Sequence, residues 1–189
     1  MPQSSVVHCE RVVKRLLLVG VVVLAAGCGS SDTARSSSTE EKPPAAGFAL
    51  RSPAFRAGTR IPERYTCDGA NARPPLTFTR PPDGTTSLAI TVDDPDAPGG
   101  TFVHWTALGI PTTARTVPLK GLINGRNGAG SIGWTGPCPP AGKPHHYVFR
   151  LFALDAKPVL RAGFTRAAFN KAVGTHLIAE TRLTGIYSR

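Results

Sequence analysis

Proline and glycine decide what this chain can become. There are 18 prolines and 20 glycines among 189 residues, and from Phe48 onward they punctuate everything between the apolar runs. Proline fixes φ and removes a backbone donor, while glycine marks turns, so the runs between them read as strands joined by loops. "SLAITVD", residues 87–93, alternates, with Leu88, Ile90 and Val92 on one face. "TFVHWTALGI", 101–110, and "HHYVFRLFALD", 145–155, are further apolar runs, and "LTFT", 76–79, and "RLTGIYSR", 182–189, are shorter candidates. One stretch has a different period. From Thr165, the residues Phe169, Ala172, Val173, His176 and Leu177 share one helical face, which predicts a helix near the C-terminus with His176 packed and hydrogen-bonded on its inner side. No internal repeat is visible. Apolar residues make up 41% of the chain, enough for the core of one main domain. The pattern predicts a mainly β protein, a two-sheet β-sandwich with a helix in its C-terminal region.

The N-terminus carries a different signal. Arg11, Lys14 and Arg15 precede "LLLVGVVVLAA", residues 16–26. An apolar run of that length after a basic region suits a signal-peptide core and falls short of the roughly 18 residues of a membrane span. The following "LAAGCGSS" resembles a bacterial lipoprotein signal, with Ala25 where Leu is common three places before the cysteine. That resemblance implies that residues 1–27 are removed and that Cys28 is acylated. Residues 28–47, rich in Ser, Pro and charge, cannot bury enough apolar surface to order themselves and read as a flexible lipidated tether. The domain then spans residues 48–189 of an exported protein, lipid-anchored to the outer face of the bacterial cell membrane.

Of four cysteines, Cys9 falls in the removed segment and Cys28 is the anchor, leaving Cys67 and Cys138. Export favours a disulfide between them over a metal site, since neither has a second Cys or His at the usual short zinc spacing. The formal net charge of +10 is spread rather than clustered, which argues against nucleic acid as a partner.

Several chemistries are excluded. No Gly-x-x-x-x-Gly-Lys-Ser/Thr phosphate loop occurs, and around Ser131 the position two before it is Ala129, so no hydrolase elbow forms. Asp94, Asp96 and His104 have a conceivable metal spacing, but the calcium-loop pattern is missing and no metal is assigned. What remains is "TVDDPDAPGGTFVHW", residues 91–105, where Asp94 and Asp96 follow an apolar strand, Pro95 and Pro98 stiffen the loop, and His104 enters the next run. Asp93 alternates to the other side. The Gly-rich segment 122–144 is too long for a plain connection and leads into His145 and Tyr147, which share one strand face.

Taken together, "YTCDGANARPPLTF", "DPDAPGGTFVHW", "GPCPPAGKPHHYVFRLFALD" and "GTHLIAETRLTGIYSR" resemble the phosphatidylethanolamine-binding protein family, in its bacterial Raf kinase inhibitor-like branch. The resemblance covers about residues 48–189. It implies a β-sandwich with a small pocket for phosphate, another small anion or a phospholipid headgroup. Separately, no activated nucleophile is visible in the sequence, so no enzyme activity is expected and no cofactor is assigned. Carried over by motif, the pocket residues are Asp94, Asp96, His104, Pro139, Pro140, His145 and Tyr147. The family usually has Arg between the last His and Tyr, where this chain has His146, and often Trp where this chain has Phe78. Physically, the carboxylates need not touch the anion. They can accept hydrogen bonds from imidazoles and backbone amides, fixing the His tautomer and raising its pKa, while His104 and the Tyr147 hydroxyl face the ligand. The implied function is a membrane-tethered, extracytoplasmic binding protein for a small anionic ligand. The alternative is a protease inhibitor or other protein-interaction module, and no protein partner is named by the residues.

Overall fold

The computed structural model describes residues 47–189. The leader 1–27, Cys28 and the tether up to residue 46 lie outside the described residues.

A five-stranded antiparallel sheet forms one layer. Its strands are β3 (Ser87–Asp94), β4 (Phe102–Ile110), β5 (Ile123–Asn124), β6 (His145–Leu154) and β7 (Leu177–Tyr187), in the spatial order β5-β4-β3-β6-β7. A two-stranded sheet of β1 (Leu50–Arg51) and β2 (Thr77–Phe78) lies in the opposite layer, with α1 (Arg166–His176) on the far side of the large sheet. The mainly β, two-sheet architecture with a helix near the C-terminus is thus present.

β3 is the middle strand, and all eight of its residues are buried. Its alternation divides two cores. Leu88, Ile90 and Val92 join Trp105, Tyr147, Phe149, Leu151 and Leu183 with Leu50, Phe55, Ile61 and Phe78 of the covering layer. On the reverse face Ala89, Leu108, Phe152 and Leu154 pack against Phe164, Phe169 and Val173 from α1 and the segment before it. Each such Leu, Val or Phe contributes about 1.5–3 kcal/mol by leaving water. Cys67 and Cys138 are joined as a disulfide, with Cα atoms 5.3 Å apart.

Two details of the helical region differ from the periodicity reading. The helix stops at His176, and Leu177 opens β7 directly, paired with Leu154. Leu177 still packs on the second core, but from the strand side. His176 is half-buried in the last helical turn rather than in the core, and its Nδ1 lies 2.9 Å from Asp155 Oδ1.

α1 is fixed at its start by two adjacent residues. The Thr165 hydroxyl accepts from the Ala168 N–H at 3.2 Å, an N-cap. Arg166 donates through both terminal nitrogens to Asp93, which projects from β3 on the helix side and is 4% exposed. The Thr91 hydroxyl donates to the same carboxylate at 3.1 Å. Removing one partner of a buried pair strands the other charge, at a cost of about 3–5 kcal/mol. Arg166→Met is therefore expected to lower stability by about 3 kcal/mol, and adding Asp93→Val to recover most of that loss, as read by urea unfolding of the single and double variants. Equal destabilisation of both would contradict this role.

Candidate anion pocket

Asp94 ends β3 on the face opposite Asp93, toward the first core. A β-bulge lies beside it. Val92 pairs with Trp105 but Asp93 pairs with Val103, so His104 is the extra residue on β4. Bulges re-aim side chains, and here His104 sits beside Tyr147, with ring centroids 5.1 Å apart. The start of β6 adds His145, whose Nδ1 lies 2.7 Å from Asp94 Oδ2. The other Asp94 oxygen accepts from the Asp96 N–H at 2.9 Å, closing the turn that Pro95 begins. Asp94, His104 and His145 are all buried.

The fourth wall comes from residues 135–140. Thr135 grips His104 twice: its carbonyl is 2.9 Å from Nδ1, and its N–H donates to the His104 carbonyl at 3.0 Å. A carbonyl only accepts, so Nδ1 of His104 carries the proton. Gly136 donates to Asn71 Oδ1 at 2.6 Å, and a Cβ at Gly136 would come within 2.5 Å of the Tyr65 carbonyl oxygen, so only glycine fits. The Cys67 N–H donates to the Pro137 carbonyl at 3.0 Å, next to the disulfide. This wall is fastened to residues 65–71 by backbone, side-chain and covalent links at once.

Asp94, His104, Pro139, Pro140 and His145 line one cavity of about 300 Å³, together with Phe102, Thr135, Gly136 and Cys138. Of the other predicted pocket residues, Tyr147 is not among those lining the cavity; it lies beside His104, fully buried, with its hydroxyl toward Asp94. Burial, and then the charge of Asp94, pushes its pKa up. Asp96 is not brought into the cavity. It is exposed, accepting from both the N–H and the Nδ1 of His146 at 2.7 Å, contacts that hold its carboxyl below the usual range. Asp94 and Asp96 thus do accept from imidazoles, but from His145 and His146. His104 is oriented by a backbone carbonyl, and burial pushes its pKa down rather than up. Phe102, whose ring lies 4.7 Å from that of His104, and Thr135 were missed by motif reading because neither carries a recognisable signal. Among the described residues no three His, Cys, Asp or Glu side chains are grouped to hold a metal ion. A larger depression of about 520 Å³, at the Ser87 end of β3, has Lys157 as its one titratable lining residue.

The family model of phosphatidylethanolamine-binding proteins matches residues 51–188. The chain belongs to this family. A UPF0098 protein of Pyrococcus horikoshii is 44% identical over 140 residues, covering 68% of this chain and 71% of that one. A UPF0098 protein of Mycobacterium tuberculosis is 42% identical over 155 residues, covering 79% and 75%. Among solved structures, Escherichia coli YbcL, described as a new member of the mammalian PEBP family, is similar with a TM-score of 0.72 and 34% identity, covering 76% of this chain and 99% of that one. The Chlamydia trachomatis homologue CT736 has a TM-score of 0.72 at 33% identity, covering 77% and 99%.

For this phosphatidylethanolamine-binding protein relative, the buried His104 has a consequence for stability. Its folded pKa lies below its unfolded one, so the unfolded chain binds more protons near and below about pH 6.5. Its contribution to stability is intact above that pH and is lost as pH falls toward the folded value. Replacing it by His104→Gln is expected to flatten that part of the stability–pH curve, measured by urea unfolding across the acidic range. An unchanged slope would show that His104 does not titrate as a buried imidazole.

Proposed function

We propose that the protein is an extracytoplasmic binding protein for a phosphate-bearing or other small anionic ligand, held in the cavity between Asp94, His104, His145 and residues 135–140. The observation that carries this is the convergence of segments distant in sequence on one small cavity containing two imidazoles. Each imidazole is fixed by its Nδ1, leaving Nε2 for a ligand. The volume is at the lower end for small-molecule sites, which suits a phosphate or a headgroup rather than a whole lipid. Binding fits better than catalysis: the cavity cysteine is spent in a disulfide, and among the described residues no serine or lysine lines it to serve as a nucleophile.

The buried ring contacts and the pinned Thr135–Gly136 wall favour a preformed site, so binding requires little reorganisation. His104→Ala and His145→Ala are each expected to weaken inorganic phosphate binding about tenfold or more by calorimetry, with folding checked by circular dichroism. Unchanged affinity in both variants would remove the cavity as the binding site.

The disulfide supports an oxidising compartment, and with the lipoprotein-like "LAAGC" it supports anchoring through an acylated Cys28. More than one acyl chain makes such anchoring stable. Cys28→Ser should abolish incorporation of labelled fatty acid into the protein after expression in a bacterial host. Equal labelling of the variant would exclude lipid attachment at this residue.

A further inference from the structure

We propose that the depression at the Ser87 end of β3 is a second binding site, separate from the anion cavity, and that it takes a small carboxylic acid with a hydrocarbon body.

The two strands that shape the anion cavity also shape this place. The pairing of β3 with β4 is irregular twice. One irregularity makes His104 the extra residue beside the anion cavity. The other lies at the opposite end, where Leu88 pairs with Ile110 but Ala89 pairs with Leu108, so Gly109 is the extra residue. Gly109 has φ +85°, in the left-handed region that bulge glycines adopt, and a Cβ there would meet nothing within 4 Å. The backbone requires glycine here, and the space beside it is open. Ser87, Gly109, Ile110 and Lys157 line the depression that results, about 520 Å³ in volume. That size lies within the roughly 300–1,000 Å³ of small-molecule sites.

The lining is apolar with a few polar groups. Ile110, Pro111, Ile123, Pro158 and Val159 supply the apolar part. Val159 is 94% exposed and Ile123 37%, although both are large hydrophobic side chains. A hydrocarbon body laid between them would leave water and cover both, which favours binding.

The polar part contains a hydroxyl in want of a partner. Ser87 is 3% exposed, and its Oγ makes no hydrogen bond within the protein. Buried hydroxyls are almost always bonded, so an orphan one in the lining of a depression points to a group that comes from outside. The hydroxyls of Thr112 and Thr113 share this lining.

Charge selects the ligand's head. Lys157 is exposed and is the one charged side chain of the lining, with no carboxylate beside it there. Asp155, two residues earlier, lies outside the lining and 2.9 Å from His176 Nδ1. One ammonium matches one negative charge. A carboxylate carries that charge on two oxygens, one to accept from Lys157 and the other from a hydroxyl. A phosphate dianion would bring a second charge with no cation in the lining to meet it, and a neutral alcohol would leave Lys157 unused.

The test is a titration of the isotope-labelled protein with hexanoate, acetate and hexanol, followed through backbone amide chemical shifts, which read the two sites separately. The amides of Gly109, Thr112 and Lys157 are expected to shift and saturate with hexanoate. Affinity at these amides should be about tenfold weaker for acetate, which lacks the hydrocarbon body, and for hexanol, which lacks the charge. Lys157→Met, a change at an exposed side chain, should weaken hexanoate about tenfold there and leave hexanol unchanged. Ser87→Ala should also weaken hexanoate, while its urea unfolding midpoint stays that of the parent because no bond within the protein is lost. Shifts confined to Thr135, Gly136 and their neighbours would put the acid in the anion cavity and overturn the proposal. So would equal affinity for hexanoate and hexanol, hexanoate binding that Lys157→Met leaves untouched, or no shift at Gly109 with any of the three probes.

Discussion

Two carboxylates leave water at the end of one strand, and each must be compensated where it lands. Asp93 and Asp94 are adjacent on β3, so the two-residue period sends them to opposite faces of the sheet. Both are buried, and a buried carboxylate without partners is costly. Asp93 is matched by Arg166, which makes the first turn of α1 part of the sheet's electrostatics as well as of its packing. Asp94 is matched by His145 and by the Asp96 N–H, which fixes both the start of β6 and the turn after β3. The helix on one face and the cavity on the other are therefore anchored by successive residues of the same strand. Asp93, seemingly the least informative acid in "TVDDPDAP", holds the far layer in place.

The cavity also depends on a wall that no strand provides. Residues 135–140 carry little regular structure, yet they are held to residues 65–71 by the Gly136–Asn71 hydrogen bond, the Cys67–Pro137 hydrogen bond and the disulfide. Trp134 reinforces this from beneath, donating Nε1–H to the Asn71 carbonyl at 3.1 Å and stacking against Phe149 with centroids 6.3 Å apart. Asn71 adopts φ +51°, a left-handed conformation that Asn tolerates and that here serves both bonds. A loop so constrained can hold Thr135 in fixed register with His104, which is what assigns the imidazole its tautomer.

How much of this was legible beforehand follows from the range of each interaction. The long strands were readable because alternation is local, and β3, β4 and β6 begin and end within a residue or so of their apolar runs. The Asp and His residues stood out because their chemistry is carried by the side chain itself. The acceptor for His104 was not readable, because Thr135 contributes its backbone carbonyl, a group every residue possesses. Asp96 shares its type and spacing with a pocket ligand, and only the turn closed by Asp94 swings it outward to His146. The helix end was misplaced because Leu177 satisfies a helical face and a strand pairing equally well. The long alternation of "LIAETRLTGIY" and its pairing with β6 settle the matter in favour of β7.

A chain with a formal net charge of +10 would be expected to bind anions through its cations, yet among the described residues none of its Lys or Arg side chains lines the cavity. The two facts act at different ranges. A net positive charge attracts anions over roughly a Debye length, about 8 Å at physiological ionic strength, without distinguishing one from another. Discrimination then falls to the short-range arrangement of donors and acceptors, where an unpaired lone pair or a facing carboxylate weighs most because water is excluded. In this cavity that short-range arrangement is set by Asp94, by two imidazoles fixed at Nδ1 and by the wall of residues 135–140.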